Sequence, residues 1–471
     1  MDYNQNLLYK GLINKDNFGG QEITLISPII KDNCKCHLKT IFLYNKIDKE
    51  YNKNAEKNYE LKNITIYDLN EIVYSSASSY FLKNSYSFRE TLKYNNIFLL
   101  EDEYSPNILF SYLTVNKSIE ILSHLNEYSI FRGGIYNKYL SRKDYAYELY
   151  FNLKQKFPKD FDYMPESYII SKQKSEIEIK FKNYTQKEND LWLCKPVSGS
   201  LGEGIYFLKN YQDFLNCTEL ITKYIHNPHL SQKRKYHIRL YDFISSFIPL
   251  KIYVYKEAQI KRASHEYKYN LNEVSDRESF ITNSFANIRK EGYLDDISLN
   301  DLKEVIIKEG GNWTYIWEQI KDICIKLIIS IYDIEYDHLS LITNNEAKSF
   351  AFFGLDLMID DNYKVWLLEA NDAPHMNSID KVNDKNKIGF STDVFNLLGI
   401  VPFDHSNGNP LENKACHFNN RLEKLINNAF CEFSRPQGNL ERIFPVKETL
   451  SYYRQFFIKE YKENIELWKH L

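Results

Sequence analysis

Apolar residues recur with two different periods along this chain. From Leu191 the period is that of strands. "LWLCKP" and "GIYFLKN" bracket a glycine-containing loop, "YHIRLYDFIS" alternates, and "LKIYVYK" follows after a short connection. "FAFFGLDLMID" and "KVWLLEAN" predict a further strand pair. Elsewhere the period is helical. "SRKDYAYELYFNLKQKF" repeats apolar positions at helical spacing, with Ser141 placed as N-cap. Asn312 is placed to cap "WTYIWEQIKDICIKLIISIYDI", in which Ile316, Ile320, Ile323, Leu327 and Ile331 form one stripe expected to face a core. The first 60 residues or so suggest a small α/β or loop-rich unit. "YMPESYII" predicts a turn entering a strand, whereas 171–189 and 265–311 are polar enough to predict loops or linkers. Beyond about residue 405 the patterning is helical, including "KETLSYYRQFFIKEYKENIELWKHL".

Composition narrows the class. A chain of 471 residues suits two or three domains. Sixty basic residues oppose 63 acidic ones, for a net charge of −3, so a charge-driven partner must meet a local patch and a nucleic-acid partner is not expected. Seven irregularly spaced cysteines predict reduced thiols and a cytosolic setting. Cys34-Lys-Cys36-His37 has no second ligand pair at zinc spacing and predicts a turn. "MDYNQNLLYKGL" does not have the pattern of a signal peptide. The most apolar run, Ile323 to Ile331, contains Lys326 and is too short to span a bilayer, so no membrane association is expected.

The candidate chemistry begins where "KVWLLEANDAP" ends in acidic and amide groups. Residues i and i+2 of a strand share a face, so Glu369 and Asn371 project together, with Leu368 and Ala370 on the other side. A four-residue loop from Asp361 to Lys364 would pair 360 with 365, and hence Asp356 with Glu369. Carboxylates so placed repel each other, and a hard cation such as Mg²⁺ removes the repulsion. The competing reading is pairing with Arg or Lys. In "KPVSGSLGEGI", Lys195 precedes Gly199, Ser200, Gly202 and Gly204 between two strands. A strand follows the loop where the P-loop and the Rossmann fingerprint require a helix, which leaves a phosphate-covering hairpin as the functional reading. "KRKYHIRLYDF" puts Lys235, His237 and Arg239 on one face, and Lys261 and Arg262 add charge in "IKRASHEY". Such a patch suits phosphates, a small carboxylate or an acidic peptide.

In this order the parts resemble the ATP-grasp arrangement and, more narrowly, the tubulin–tyrosine ligase and ligase-like family. The matching segments are "FRGGIYNKYLSRKD", "YMPESYII", "LWLCKPVSGSLGEGIYFL", "KYIHNP", "RKYHIRLY", "KIYVYKEAQIKRASHEY", "FITN" and "FGLDLMIDDNYKVWLLEANDAP", from about 130 to 400. The resemblance implies an α+β fold of ATP-grasp type, with mixed and antiparallel sheets and flanking helices. The patterning divides the chain into an N-terminal α/β domain (1–130), a central segment (131–190), a catalytic core (191–404) and a helical C-terminal extension (405–471), of which the resemblance covers the middle two, matches the first faintly and offers no counterpart for the last.

It also implies roles. Lys195 would contact ATP phosphates, with Lys143 nearby and the glycine loop above. Thr222, Lys223, Tyr224 and Ile225 would form the hinge against adenine, and Lys235 would reach the nucleotide. Arg239 would recognise the amino acid or acceptor, and Asp356, Glu369 and Asn371 would hold Mg²⁺. Two positions depart from the family: His237 replaces an aspartate that contacts nucleotide, and Lys261 replaces a substrate-binding arginine, so that either Arg262 beside it takes over or the substrate differs. The implied reaction makes an acylphosphate on an acceptor carboxylate, then an amide with a free amino acid. The expected enzyme is a monomeric cytoplasmic ligase, microtubule-associated in some settings, acting on the acidic tubulin tail. "MPESYII" and "GEGI" lean towards tyrosine as the amino acid. A glutamylating relative and a tubulin-tail-binding protein without catalysis are the alternatives.

Overall fold

A computed structural model describes residues 6–11, 23–26, 64–68, 73–76, 86–94, 98–100, 108–110, 125, 127–132, 138–187, 190–197, 202–268, 277–280, 282, 297–342, 348–377, 381–401, 418, 420–435 and 437–471. Its strands are β1 (Asn6–Gly11), β2 (Ile23–Ile26), β3 (Ile64–Asp68), β4 (Val73–Ser76), β5 (Phe98–Leu100), β6 (Ile108–Phe110), β7 (Ile130–Arg132), β8 (Ser167–Ile169), β9 (Trp192–Lys195), β10 (Tyr206–Leu208), β11 (Leu220–Lys223), β12 (Leu230–Ser231), β13 (Arg234–Phe247), β14 (Leu250–Arg262), β15 (Lys348–Ile359), β16 (Val365–Asn371) and β17 (Leu440–Phe444). Its helices are α1 (Tyr86–Tyr94), α2 (Lys138–Ser141), α3 (Lys143–Lys156), α4 (Ile170–Phe181), α5 (Tyr211–Asn216), α6 (Arg277–Phe280), α7 (Leu299–Lys308), α8 (Trp313–Ile342), α9 (Lys381–Leu398), α10 (Arg421–Phe433), α11 (Lys447–Arg454) and α12 (Lys462–Lys469). The result is a mixed α+β architecture.

One large sheet runs β17-β14-β13-β15-β7-β6-β4-β5, with β12 on β13 and β16 on β15. Its β13–β15 and β14–β17 pairs are antiparallel, whereas β7, β6, β4 and β5 join in parallel. Both faces are covered, which is why "FAFFGLDLMI" reads as a nearly unbroken apolar run. On one face Ile238, Leu240, Ile244, Phe353, Leu355 and Leu357 meet the stripe of α8. Every predicted stripe residue, Ile316, Ile320, Ile323, Leu327 and Ile331, is at most 2% exposed. On the other face Tyr241, Phe243, Phe350 and Phe352 pack with Phe88 of α1 and with Phe390 and Val394 of α9. A second sheet, β10-β9-β11-β8, stands apart with its own small core around Phe181, Trp192 and Phe214.

Local signals were obeyed unevenly. The Asn312 side chain accepts from the Tyr315 N–H at 3.2 Å, capping α8 as its position predicts. Ser141 instead belongs to α2, and α3 starts after Arg142 with no side-chain cap. The loop expected over 171–189 is helical as far as Phe181, because Ile177 and Phe181 anchor α4 to the small core while its polar residues face water. The polar stretch 265–311 likewise contains α7, fixed by a Ser298–Asp301 capping box. The C-terminal segment is more than helical, since β17 adds to the large sheet against β14.

The cysteines also depart from expectation. Cys194 and Cys217 form a disulfide, Cys431 is disulfide-bonded as well, and Cys324 is a buried free thiol. Spacing hid the first pair, because the two lie 23 positions apart with β10 and α5 between them. Cys34, Cys36 and His37 lie outside the described residues. No helix among the described residues is long and apolar enough to cross a membrane.

Candidate active site

The β15–β16 hairpin sets the central geometry. Asp356 lies opposite Glu369, as the sequence predicts, but by a different route. The turn is one residue longer than expected, with Ile359 opposite Val365, and an extra residue in β16, a bulge opposite Asp356/Leu357, restores the offset. The bulge has a second effect. It leaves Leu368 on the same side as Glu369, lining the cleft, where simple alternation had turned it away. The Asn371 amide donates to the Gly354 carbonyl at 3.3 Å, so its oxygen is the end suited to a cation. Gly354 is needed there: a Cβ would fall 2.7 Å from Pro374 Cβ and 3.1 Å from Arg239 Cδ.

Arg239, on β13, faces Asp356 in register. Its Nε and Nη2 donate to the two Asp356 oxygens at 2.5 and 2.9 Å, a bidentate fork. Burial raises the Asp356 carboxyl, but Arg239, then His237, hold it well below the usual carboxylate range. Glu369 is shifted up, first by burial and further by Asp356, against the pull of Lys143 at 3.5 Å. Two carboxylates, Asp356 in the Arg239 fork and Glu369 with Lys143 at 3.5 Å, plus an amide oxygen fit a Mg²⁺ ion that takes its other ligands from phosphates. No larger cluster of His, Cys, Asp or Glu able to hold a metal occurs among the described residues.

Between the two sheets opens a cleft of about 570 Å³. Thr222, Lys223, Tyr224 and Ile225 line it from the small sheet, together with Lys195 and Phe207; Lys235, Met358 and Leu368 line it from the large one. A neighbouring cavity of about 480 Å³ shares Lys195, Thr222 and Leu368 and reaches Lys143 and Glu369. The hinge backbone is fixed by Lys223 N–H to Glu166 O and Tyr224 N–H to Leu191 O, both 2.8 Å. The Lys223 ammonium turns outward, 3.8 Å from Asp190. Lys235 donates to the Tyr224 hydroxyl at 2.8 Å and the Phe280 carbonyl at 3.1 Å.

Cations crowd this cleft. Burial, then Lys143, lowers Lys195 to about 8, and burial, then Lys195, lowers Lys235 to about 7. Lys261 sits opposite His237 and is brought to about 7 by burial, Arg239 and Lys387, despite Asp356. A polyanion in the cleft would relieve these desolvated ammonium groups. Above, Gly202 and Gly204 have φ of 80° and 73°. A Cβ at Gly204 would meet Pro196 Cγ at 2.7 Å, which suits a tight backbone turn over the cleft. Gly199 and Ser200 lie outside the described residues.

One expected substitute is misplaced. Arg262 is opposite Tyr236, on the face away from Lys261, and its Nη1 lies 3.4 Å from Ser231 Oγ. Adjacent strand residues point to opposite faces, so Arg262 does not stand in for Lys261. Residues that the sequence reading passed over include Met358, Leu368 and Phe280, whose apolar character looks like ordinary core. Lys387 of α9 was also missed. It donates to the Asn377 carbonyl at 2.7 Å and acts electrostatically on Lys261 and His375.

Two sheets flanking a lysine-lined cleft, with a carboxylate hairpin as its floor, define an ATP-grasp type of fold. The sequence profile of the Tubulin-tyrosine ligase family matches residues 134–408, more than half of the chain, and the chain belongs to that family. Among similar curated proteins, the Mus musculus tubulin monoglutamylase TTLL4 is 26% identical over 274 residues, 56% of this chain and 23% of that protein. The Caenorhabditis briggsae tubulin polyglutamylase ttll-4 is 28% identical over 271 residues, 56% of this chain and 45% of that protein. The Homo sapiens tubulin polyglutamylase TTLL5 is 28% identical over 275 residues, 56% of this chain and 21% of that protein. The chain thus matches less than half the length of each of these relatives. Their names specify glutamylation and give no support to the tyrosine expectation.

Proposed function

We propose that this chain is an ATP-dependent ligase that joins free glutamate to a carboxylate of an acidic protein tail, that of tubulin being the candidate acceptor. The observation that carries the proposal is the convergence of Lys195, Lys235 and the 222–225 hinge on one cleft whose floor bears Asp356 and Glu369. In this reading the hinge and Phe207 receive the adenine, and Lys195 and Lys235 neutralise the phosphates. Asp356, Glu369 and Asn371 would hold Mg²⁺, which supplies charge neutralisation at the transferring phosphoryl group. The acceptor carboxylate takes that phosphoryl group. The glutamate amine then attacks the acyl carbon and phosphate leaves. Lys261, Lys387 and Arg239 form the cationic wall that favours an amino acid with a second carboxylate over tyrosine.

The test uses the full chain with tubulin, Mg–ATP and isotopically labelled glutamate or tyrosine, followed by mass analysis of the tail peptides. Glutamate addition that disappears in Glu369→Gln is expected. Tyrosine addition alone would overturn the specificity, and failure to bind Mg–ATP would overturn the ligase assignment.

A further inference from the structure

His237 is the residue of this site that ordinary packing explains least. It is 1% exposed. Its Nδ1 lies 2.5 Å from Thr282 Oγ1. Its Nε2 makes no hydrogen bond among the described residues and stands 3.5 Å from Asp356 Oδ1. An apolar ring would fill the same space without stranding a polar atom, so the stranded nitrogen calls for an explanation.

The surroundings choose the tautomer. An Nε2 lone pair would face the negative Asp356 oxygen, whereas an Nε2–H points its dipole at that oxygen. The Thr282 hydroxyl then donates to Nδ1, and the direction of both contacts is fixed. Asp356 Oδ1 therefore faces two donors, Arg239 Nε at 2.5 Å and the His237 N–H with Nε2 3.5 Å away, whereas Oδ2 is met by Arg239 Nη2 at 2.9 Å.

We propose that His237, locked by Thr282, is a positioning residue for the Asp356 carboxylate, keeping one oxygen oriented when a divalent cation competes with Arg239 for the other. A neutral donor thereby does the orienting where the resemblance leads one to expect a further acidic side chain. The proposal rests on the ligase reading through the assignment of Asp356 to the cation.

The test is Mn²⁺ binding by the full chain, followed by electron paramagnetic resonance with a non-hydrolysable ATP analogue present. His237→Phe and Thr282→Val should weaken Mn²⁺ binding ~10-fold, as loss of a group that orients a metal ligand typically does. His237→Gln, which keeps a side-chain N–H, should restore most of it. Binding of the analogue without metal should be unchanged in His237→Phe, a split that general loosening of the site would not give. Wild-type Mn²⁺ affinity in folded His237→Phe overturns the proposal. If that variant does not fold, wild-type affinity in Thr282→Val does so. Absence of Mn²⁺ binding by the unsubstituted protein removes the ligase reading, and this inference with it.

Discussion

One face of β13 carries two cationic clusters, and their contrast shows what separates a binding site from a structural anchor. At the cleft end, Lys143, Lys195, Lys235, Arg239 and Lys261 gather round Asp356 and Glu369, so positive charge is in excess beside open space. At the other end, beyond Tyr241 and Phe243, buried Glu432 of α10 accepts from Ser245 at 2.5 Å, from Tyr253 at 2.8 Å and from Lys251. Arg435 donates to the Leu397 carbonyl at 2.6 Å, and Arg442 lies over Phe433 at 3.7 Å. In the proposed reading the first cluster takes its anion from outside. The second contains one supplied by the chain and sealed under a helix.

The most disruptive way to break this contrast is Glu432→Ala. It leaves Lys251 buried without its partner and should cost about 3–5 kcal/mol of stability, measured by chemical denaturation. The same logic gives the opposite sign in the cleft. Lys195→Met and Lys235→Met should each lower ATP-analogue affinity on the order of 100-fold in calorimetry, by removing a charge-assisted phosphate contact. Both should leave unliganded stability equal or higher, because a desolvated cation is removed.

The pH response sharpens the comparison further. Lys195 and Lys235 titrate near 8 and 7 in the folded protein but near 10.4 when unfolded. Between those values the unfolded chain binds more protons, so their contribution to stability rises with pH from about 7 towards 10. Phosphates favour the protonated lysines, so nucleotide binding should take up protons near pH 8 and weaken as pH rises to 9. Calorimetry in buffers of different ionisation enthalpy reads both effects. The smallest contrast separates two neighbours. Lys261→Ala should raise KM for glutamate by roughly tenfold, whereas Arg262→Ala should leave it unchanged.

How far the sequence reached depended on the range of the physics involved. That Asp356 lies opposite Glu369 was legible because a hairpin is a local structure. The bulge that carries Leu368 into the cleft was not, because two offsets cancelled: a longer turn and an extra residue in β16. The α8 stripe was legible since it repeats over several turns. The joining of β17 to β14 was not, because five residues of mixed character take their strand identity from a partner far back in the chain. Lys261 and Arg262 show a failure of a simpler kind. Arg262 is offered as a substitute for Lys261, although neighbours on a strand face opposite ways.

The late arrival of β17 bears on biogenesis. Both sheets of the cleft are already encoded once β16 has emerged from the ribosome, but the outer edge of β14 stays bare until residues 440–444 follow. During that interval the hairpin bearing Lys261 offers unpaired backbone to any passing strand. Growing polypeptides should therefore be most prone to mispairing while α9 and α10 are being synthesised, which makes this stretch of translation the one where a chaperone would matter most.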